Sequence, residues 1–237
     1  MSAISPRAAW REPTPELRAK AGQLHAAGRT EESLLVLQEV VRREPGDFGA
    51  QYNLGFVLQH LGRLEPAVEA YRAAVALNPR FGDARVNLGS CLQLLGRLEE
   101  AEREFAGAVE VAPDLHPAQL NLGMVRRRLG RHEESLAPLR AALALAPGDA
   151  QAWDHLYASL MVLKRPQEAL ETFFAWEPHA PSSPEVALAG LTLSRLAGDR
   201  EREAKYLDLC VRWPFPPAHS GFARLPLSVV QYFDIAP

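Results

Sequence analysis

Apolar residues recur along most of this chain at helical spacing, and the recurrence itself has a period. Leu34, Leu37, Val40 and Val41 fall on one face of a segment that opens at Thr30, a residue of N-cap type, and closes on Pro45-Gly46-Asp47. A shorter segment with Leu17, Ala21 and Leu24 precedes it, opening at Thr14 as its N-cap and stopping at Gly28. One phrase is then written three times: Tyr52-Asn53-Leu54-Gly55, Val86-Asn87-Leu88-Gly89 and Leu120-Asn121-Leu122-Gly123. Seven residues after each of these glycines stands another, at Gly62, Gly96 and Gly130. Pro45, Pro79, Pro113, Pro147 and Pro181 end successive units at a constant interval of 34 residues. Self-similarity at such a period predicts stacked supersecondary units, each burying its apolar face against its neighbours.

The residues at these positions resemble the tetratricopeptide repeat, a 34-residue helix–turn–helix with the pattern W-x2-L-G-x2-Y, then A-x3-F, then P. Leu54-Gly55, Leu58, Ala67, Tyr71 and Pro79 match it, as do Leu88-Gly89, Leu92, Ala101, Phe105 and Pro113. The resemblance implies an all-α, right-handed superhelical solenoid of about six repeats, at residues 14–47, 48–81, 82–115, 116–149, 150–183 and 184–215. Residues 1–13 have no period and read as a flexible leader.

Small residues mark where paired helices must close: Gly55 with Ala67 and Ala74, Gly89 with Ala101 and Ala108, Gly123 with Ser135 and Ala142. Pro66 falls in a first turn and is harmless, whereas Pro138 falls inside a helix, forfeits the bond to the Glu134 carbonyl and predicts a kink. In the fifth unit Trp153 and Leu156 keep the pattern, but Tyr157 replaces the close-packing glycine and Lys164-Arg165-Pro166 replaces the glycine turn. The stack is expected to loosen or change pitch there. The sixth unit keeps its helices, loses most signature residues and reads as a cap. The apolar tail 216–237 either covers the last helix pair or opens a further domain.

Composition narrows the function. A net charge of −3 argues against nucleic-acid and anionic-membrane partners. Arginine far outnumbers lysine, which occurs only as Lys20, Lys164 and Lys205, a usage typical of GC-rich bacterial genes. The two cysteines, Cys91 and Cys210, lie more than three repeats apart and are expected as buried free thiols in a reducing compartment. The start of the chain lacks a signal-peptide core and no run has the length of a membrane span, so a cytoplasmic protein is expected.

Nothing in the chain predicts catalysis, a metal or a cofactor. His132-Glu133-Glu134-Ser135-Leu136 lacks the second histidine of a zinc-protease helix, and no phosphate-cradling or nucleophile-elbow motif occurs. Recognition remains. In the repeat family the first helix of each pair lines the concave side, so Asn53, Asn87 and Asn121 are expected to stack as a ladder whose amides both donate to and accept from an extended peptide. This ladder is similar to that of O-linked N-acetylglucosamine transferase, although Ala19 and His155 interrupt it at the two ends. Tyr52, Phe56, Val86, Leu120 and Met124 set an apolar stripe beside it, and Arg127 and Arg128 a basic flank. The chain is therefore read as a protein–protein interaction module that binds a segment of a partner protein. Its finer form is the substrate-recruiting arm of a larger bacterial enzyme such as a protein glycosyltransferase. The alternative is a self-assembling scaffold or adaptor.

Overall fold

The computed structural model describes residues 12–176, 178 and 184–212. They form helices that follow one another in pairs: α1 (Thr14–Ala26) and α2 (Thr30–Arg43), α3 (Phe48–His60) and α4 (Leu64–Leu77), α5 (Gly82–Leu94) and α6 (Leu98–Val111). Three further pairs follow: α7 (His116–Arg128) and α8 (His132–Leu145), α9 (Ala150–Val162) and α10 (Pro166–Trp176), α11 (Pro184–Ala197) and α12 (Arg200–Arg212). No strand occurs among the described residues. The chain divides into two compact units, one reaching Asn121 and the other starting at Leu122, so that the division falls within α7. The leader up to Arg11 and the tail from Trp213 lie outside the described residues.

The turn inside each pair explains the regular glycines. Gly28, Gly62, Gly96, Gly130 and Gly198 all have φ between +69° and +77°, which an L side chain adopts only under strain. Each ends its helix with the hydrogen-bond pattern of a left-handed C-cap: after Gly62, for example, the Arg63 amide donates to the Leu58 carbonyl at 2.9 Å. The fifth pair uses the same bond, Arg165 N–H to Leu160 at 2.9 Å, and so forces Lys164 to φ 59°, the only such non-glycine among the described residues.

Helix starts differ from the expectation at two places. Thr14 and Thr30 are the first residues inside their helices, and the caps are Pro13 and Arg29, without a side-chain cap bond. The backbone takes over: the Pro13 carbonyl accepts from Glu16 and Leu17, and the Arg29 carbonyl from Ser33. Side-chain caps occur instead at Asp47, which accepts from the amides of Gly49 and Ala50, and at Asp149, which accepts from Gln151 and Ala152.

Within pairs, glycine makes room for a ring. A Cβ on Gly55 would lie 2.8 Å from the Tyr71 ring, and one on Gly89 2.7 Å from the Phe105 ring. Gly123 is covered in the same way by Leu139, and Gly190 by Tyr206. Tyr71, Phe105 and Leu139 are fully buried, together with Ala67, Ala74, Ala101, Ala108, Ser135 and Ala142. The fifth pair has no glycine and fills the space with aromatics. Trp153 stacks on Trp176 with centroids 4.6 Å apart and on Tyr157 at 5.4 Å, and Phe173 meets its edge at 5.6 Å. Between pairs, α2 packs on α3 and α4 on α5 in the first unit, and α8 on α9 in the second.

Pro138 sits in α8, which runs unbroken from His132 to Leu145. The Glu134 carbonyl, deprived of its helical donor, accepts from Arg126 Nη1 at 3.2 Å. Cys91 and Cys210 are buried free thiols, and burial raises the Cys91 pKa to about 11.

Candidate functional site

The charged residues are unevenly placed between the two helices of a pair. α3 and α7 carry no acidic residue, and α5 and α9 carry one each, Asp83 and Asp154. The second helices hold the acids; α6 alone has Glu99, Glu100, Glu102, Glu104 and Glu110. Although the chain is acidic as a whole, α3 and α5 are formally neutral and α7 is basic.

In the first unit the expected ladder is not uniform. Asn53 is exposed, Asn121 is half-buried, and Asn87 is half-buried and engaged. Asn87 Nδ2 donates to Tyr52 Oη at 3.1 Å, and the neighbouring Tyr71 hydroxyl donates to Gln59 Oε1 at 2.9 Å. Burial pushes both phenols up, Tyr71 strongly, and the contact with Asn87 only partly offsets this. The middle amide therefore ties α5 to α3, which fixes the Tyr52 ring against Phe81, 4.8 Å between centroids.

The apolar stripe is likewise divided. Val86 is buried at 8% exposure, and Ser90 turns its hydroxyl back to the Val86 carbonyl at 2.8 Å. Phe56 is 44% exposed, an aromatic left open to solvent, and meets His25 edge-on at 5.4 Å; His25 in turn meets His60 at 5.0 Å. Leu120 is half-buried. Arg18, on α1, is neutralised by Asp47 at 2.6 Å and Glu44 at 3.3 Å.

In the second unit Met124 and Arg127 are half-buried and Arg128 is exposed. Arg127 Nε is buried without a hydrogen-bond partner, as is Nδ1 of the half-buried His155 on α9. Burial holds the His155 pKa below its ordinary value; the charge of Arg127 adds to this, and Asp154 and Asp149 oppose it.

A regular set of ion pairs escaped the sequence reading. Arg63 reaches Glu31 at 2.7 Å, Arg165 reaches Glu133 at 3.1 Å, and Arg72 and Arg140 reach Glu100 and Glu168 at 2.7 and 2.6 Å. They join successive second helices and are exposed, so each contributes at most about 1 kcal/mol. The spacing of Arg29, Arg63, Arg97, Arg131 and Arg165 at the interval of the repeat was the signal that could have found them.

Tetratricopeptide repeat models match residues 48–81, 80–148 and 120–184. No curated relative matches the sequence. Among solved structures, MamA residues 41 to the end from Desulfovibrio magneticus RS-1 is similar with a TM-score of 0.63 at 23% identity, over 70% of this chain and 94% of that one. PilF of Pseudomonas aeruginosa is similar with a TM-score of 0.64 at 20% identity, over 93% and 96%. YrrB, described as a TPR protein with an unusual peptide-binding site, is similar with a TM-score of 0.62 at 20% identity, over 82% and 97%.

Proposed function

We propose, from the premise that this chain belongs to the tetratricopeptide-repeat family, as the matches over residues 48–184 show, that its first helices bind an extended segment of a partner protein. The observation that carries this reading is on α3, where Asn53 and the 44%-exposed Phe56 stand open side by side. An amide that donates and accepts next to an uncovered aromatic suits a peptide backbone with an apolar side chain. Asn121 and Leu120 on α7 offer the same pairing of amide and apolar side chain, while Asn87 acts by holding Tyr52 in place. YrrB, a protein of similar fold, is itself described as having a peptide-binding site, which supports the class of ligand.

The finer reading follows from the asparagine ladder and its likeness to that of O-linked N-acetylglucosamine transferase. The bound segment is then a substrate polypeptide, and the chain is the recruiting arm of a bacterial protein-modifying enzyme such as a glycosyltransferase, working in the cytoplasm.

Panning a phage-displayed random-peptide library against the full chain tests the proposal. Enriched peptides are expected to bind the parent chain and to lose about tenfold or more in affinity for an Asn53→Ala/Asn121→Ala variant of unchanged helicity, since each amide contact is worth about 1 kcal/mol. Asn87 is left intact because its loss would also free Tyr52. Equal affinity for parent and variant, or no enrichment at all, overturns the reading.

A further inference from the structure

We infer that His25 and His60 form a binding site for a divalent transition-metal ion of the zinc class, each giving one imidazole nitrogen. The inference goes beyond the peptide-binding reading and stands without it. The two histidines belong to different helices, α1 and α3, and both lie in the compact unit that ends at Asn121. The fold brings their rings to a centroid separation of 5.0 Å, with the planes at 87°. Two imidazoles that hold one tetrahedral ion through nitrogens about 2.0–2.1 Å from it have ring centres about 5 Å apart. The pair therefore already stands at chelating separation, a property that the spacing of histidines along the chain does not reveal.

No hydrogen bond or ion pair engages either ring among the described residues. Nδ1 of His25 is buried without a hydrogen-bond partner, the kind of orphaned polar atom that a bound ion or water explains. His25 is half-buried and its ring is held against Phe56 at 5.4 Å, whereas His60 is exposed as the last residue of α3. One ligand is thus fixed by packing, and the other can turn about its side-chain bonds to meet the ion without disturbing the core.

The donor set also selects the ion. Imidazole suits zinc, copper and nickel, whereas magnesium and calcium take oxygen ligands. No third histidine, cysteine, aspartate or glutamate completes the set among the described residues. The remaining coordination positions fall to water, so the ion stays open on one side.

The test is a histidine-ring NMR titration of the full chain with zinc chloride, with magnesium chloride as the control. The His25 and His60 signals are expected to move together and saturably, at zinc concentrations below those that move His116, His132 or His155. Cu2+ should bind more tightly than Zn2+, following the affinity order of divalent ions. His60 is exposed, so His60→Ala should keep the fold, with helicity checked. It should stop the movement at His25 and weaken zinc binding in calorimetry by at least the cost of losing an outer-shell partner, about 10–100-fold. His25→Gln should likewise stop the movement at His60. No saturable movement, movement of one ring alone, or an intact His25 response in His60→Ala overturns the inference. So does an equal response to magnesium, or a parallel movement of all the histidines, which would mean an adventitious ion only. Panning carried out with a chelator present is read separately: enriched peptides without a zinc response would overturn the metal site alone, and a zinc response without enriched peptides would overturn the peptide reading alone.

Discussion

In the α5–α6 pair the helices meet over Gly89, whose missing side chain is the space that the Phe105 ring occupies. In the α9–α10 pair the corresponding residue is Tyr157, 3% exposed, which stacks on Trp153, and Phe173 and Trp176 meet the other sides of that Trp153 ring and each other. The turns differ in the same sense: Gly96 enters the left-handed region freely, and Lys164 enters it under strain. One pair is built by removing atoms and the other by adding them. A repeat can therefore keep its hydrogen-bonded frame while its contents change, because the frame is set by backbone bonds common to both and only the filling depends on the side chains.

The comparison breaks most decisively at the aromatic stack. Trp153→Ala should destabilise the chain by about 3–5 kcal/mol in urea unfolding followed by circular dichroism; a loss below about 1 kcal/mol would mean that the rings do not form the core of that pair. Next comes Gly89→Ala. The added methyl meets the fully buried Phe105 ring, so a loss of about 1–3 kcal/mol is expected, although alanine is elsewhere the better helix former by about 1 kcal/mol. A gain in stability at this position would show that the ring yields.

A smaller effect of opposite sign is expected at the turn of the fifth pair. Lys164→Gly should stabilise by about 1 kcal/mol, the strain of a side chain at φ 59° being removed, and Gly96→Lys should lose a similar amount in the same assay. The smallest effect concerns Pro138. Arg126→Gln should cost about 0.5–1.5 kcal/mol more in the parent than in a Pro138→Ala background, where the Glu134 carbonyl regains a helical donor. A double-mutant cycle without coupling would sever the two residues.

The helices, their pairing and the turn glycines were legible from the chain because each is set by local bonds repeated at one interval: the Schellman-type bond after Gly62 recurs after Gly96 and Gly130. Legibility ended where a residue's role depends on a neighbouring helix. Thr14 and Thr30 have the chemistry of caps, yet the backbone carbonyls of Pro13 and Arg29 do that work. Asn53, Asn87 and Asn121 are alike in sequence and unlike in place, since only Asn87 finds a tyrosine hydroxyl within reach. Val86, read as part of an open stripe, is buried.

By itself the sequence determined the all-helical pairs and the class of activity to look for, because helical periodicity, glycine at positive φ and proline at unit ends are properties of short stretches. Tertiary structure decided which side chains of the repeated face remain free. Arg18 is neutralised by Asp47 and Glu44. Asn87 is spent on Tyr52, and Arg127 Nε and His155 Nδ1 are left buried without partners. Those outcomes depend on distances between helices that sequence spacing does not encode, and hydrogen bonds and ion pairs form or fail over about an ångström.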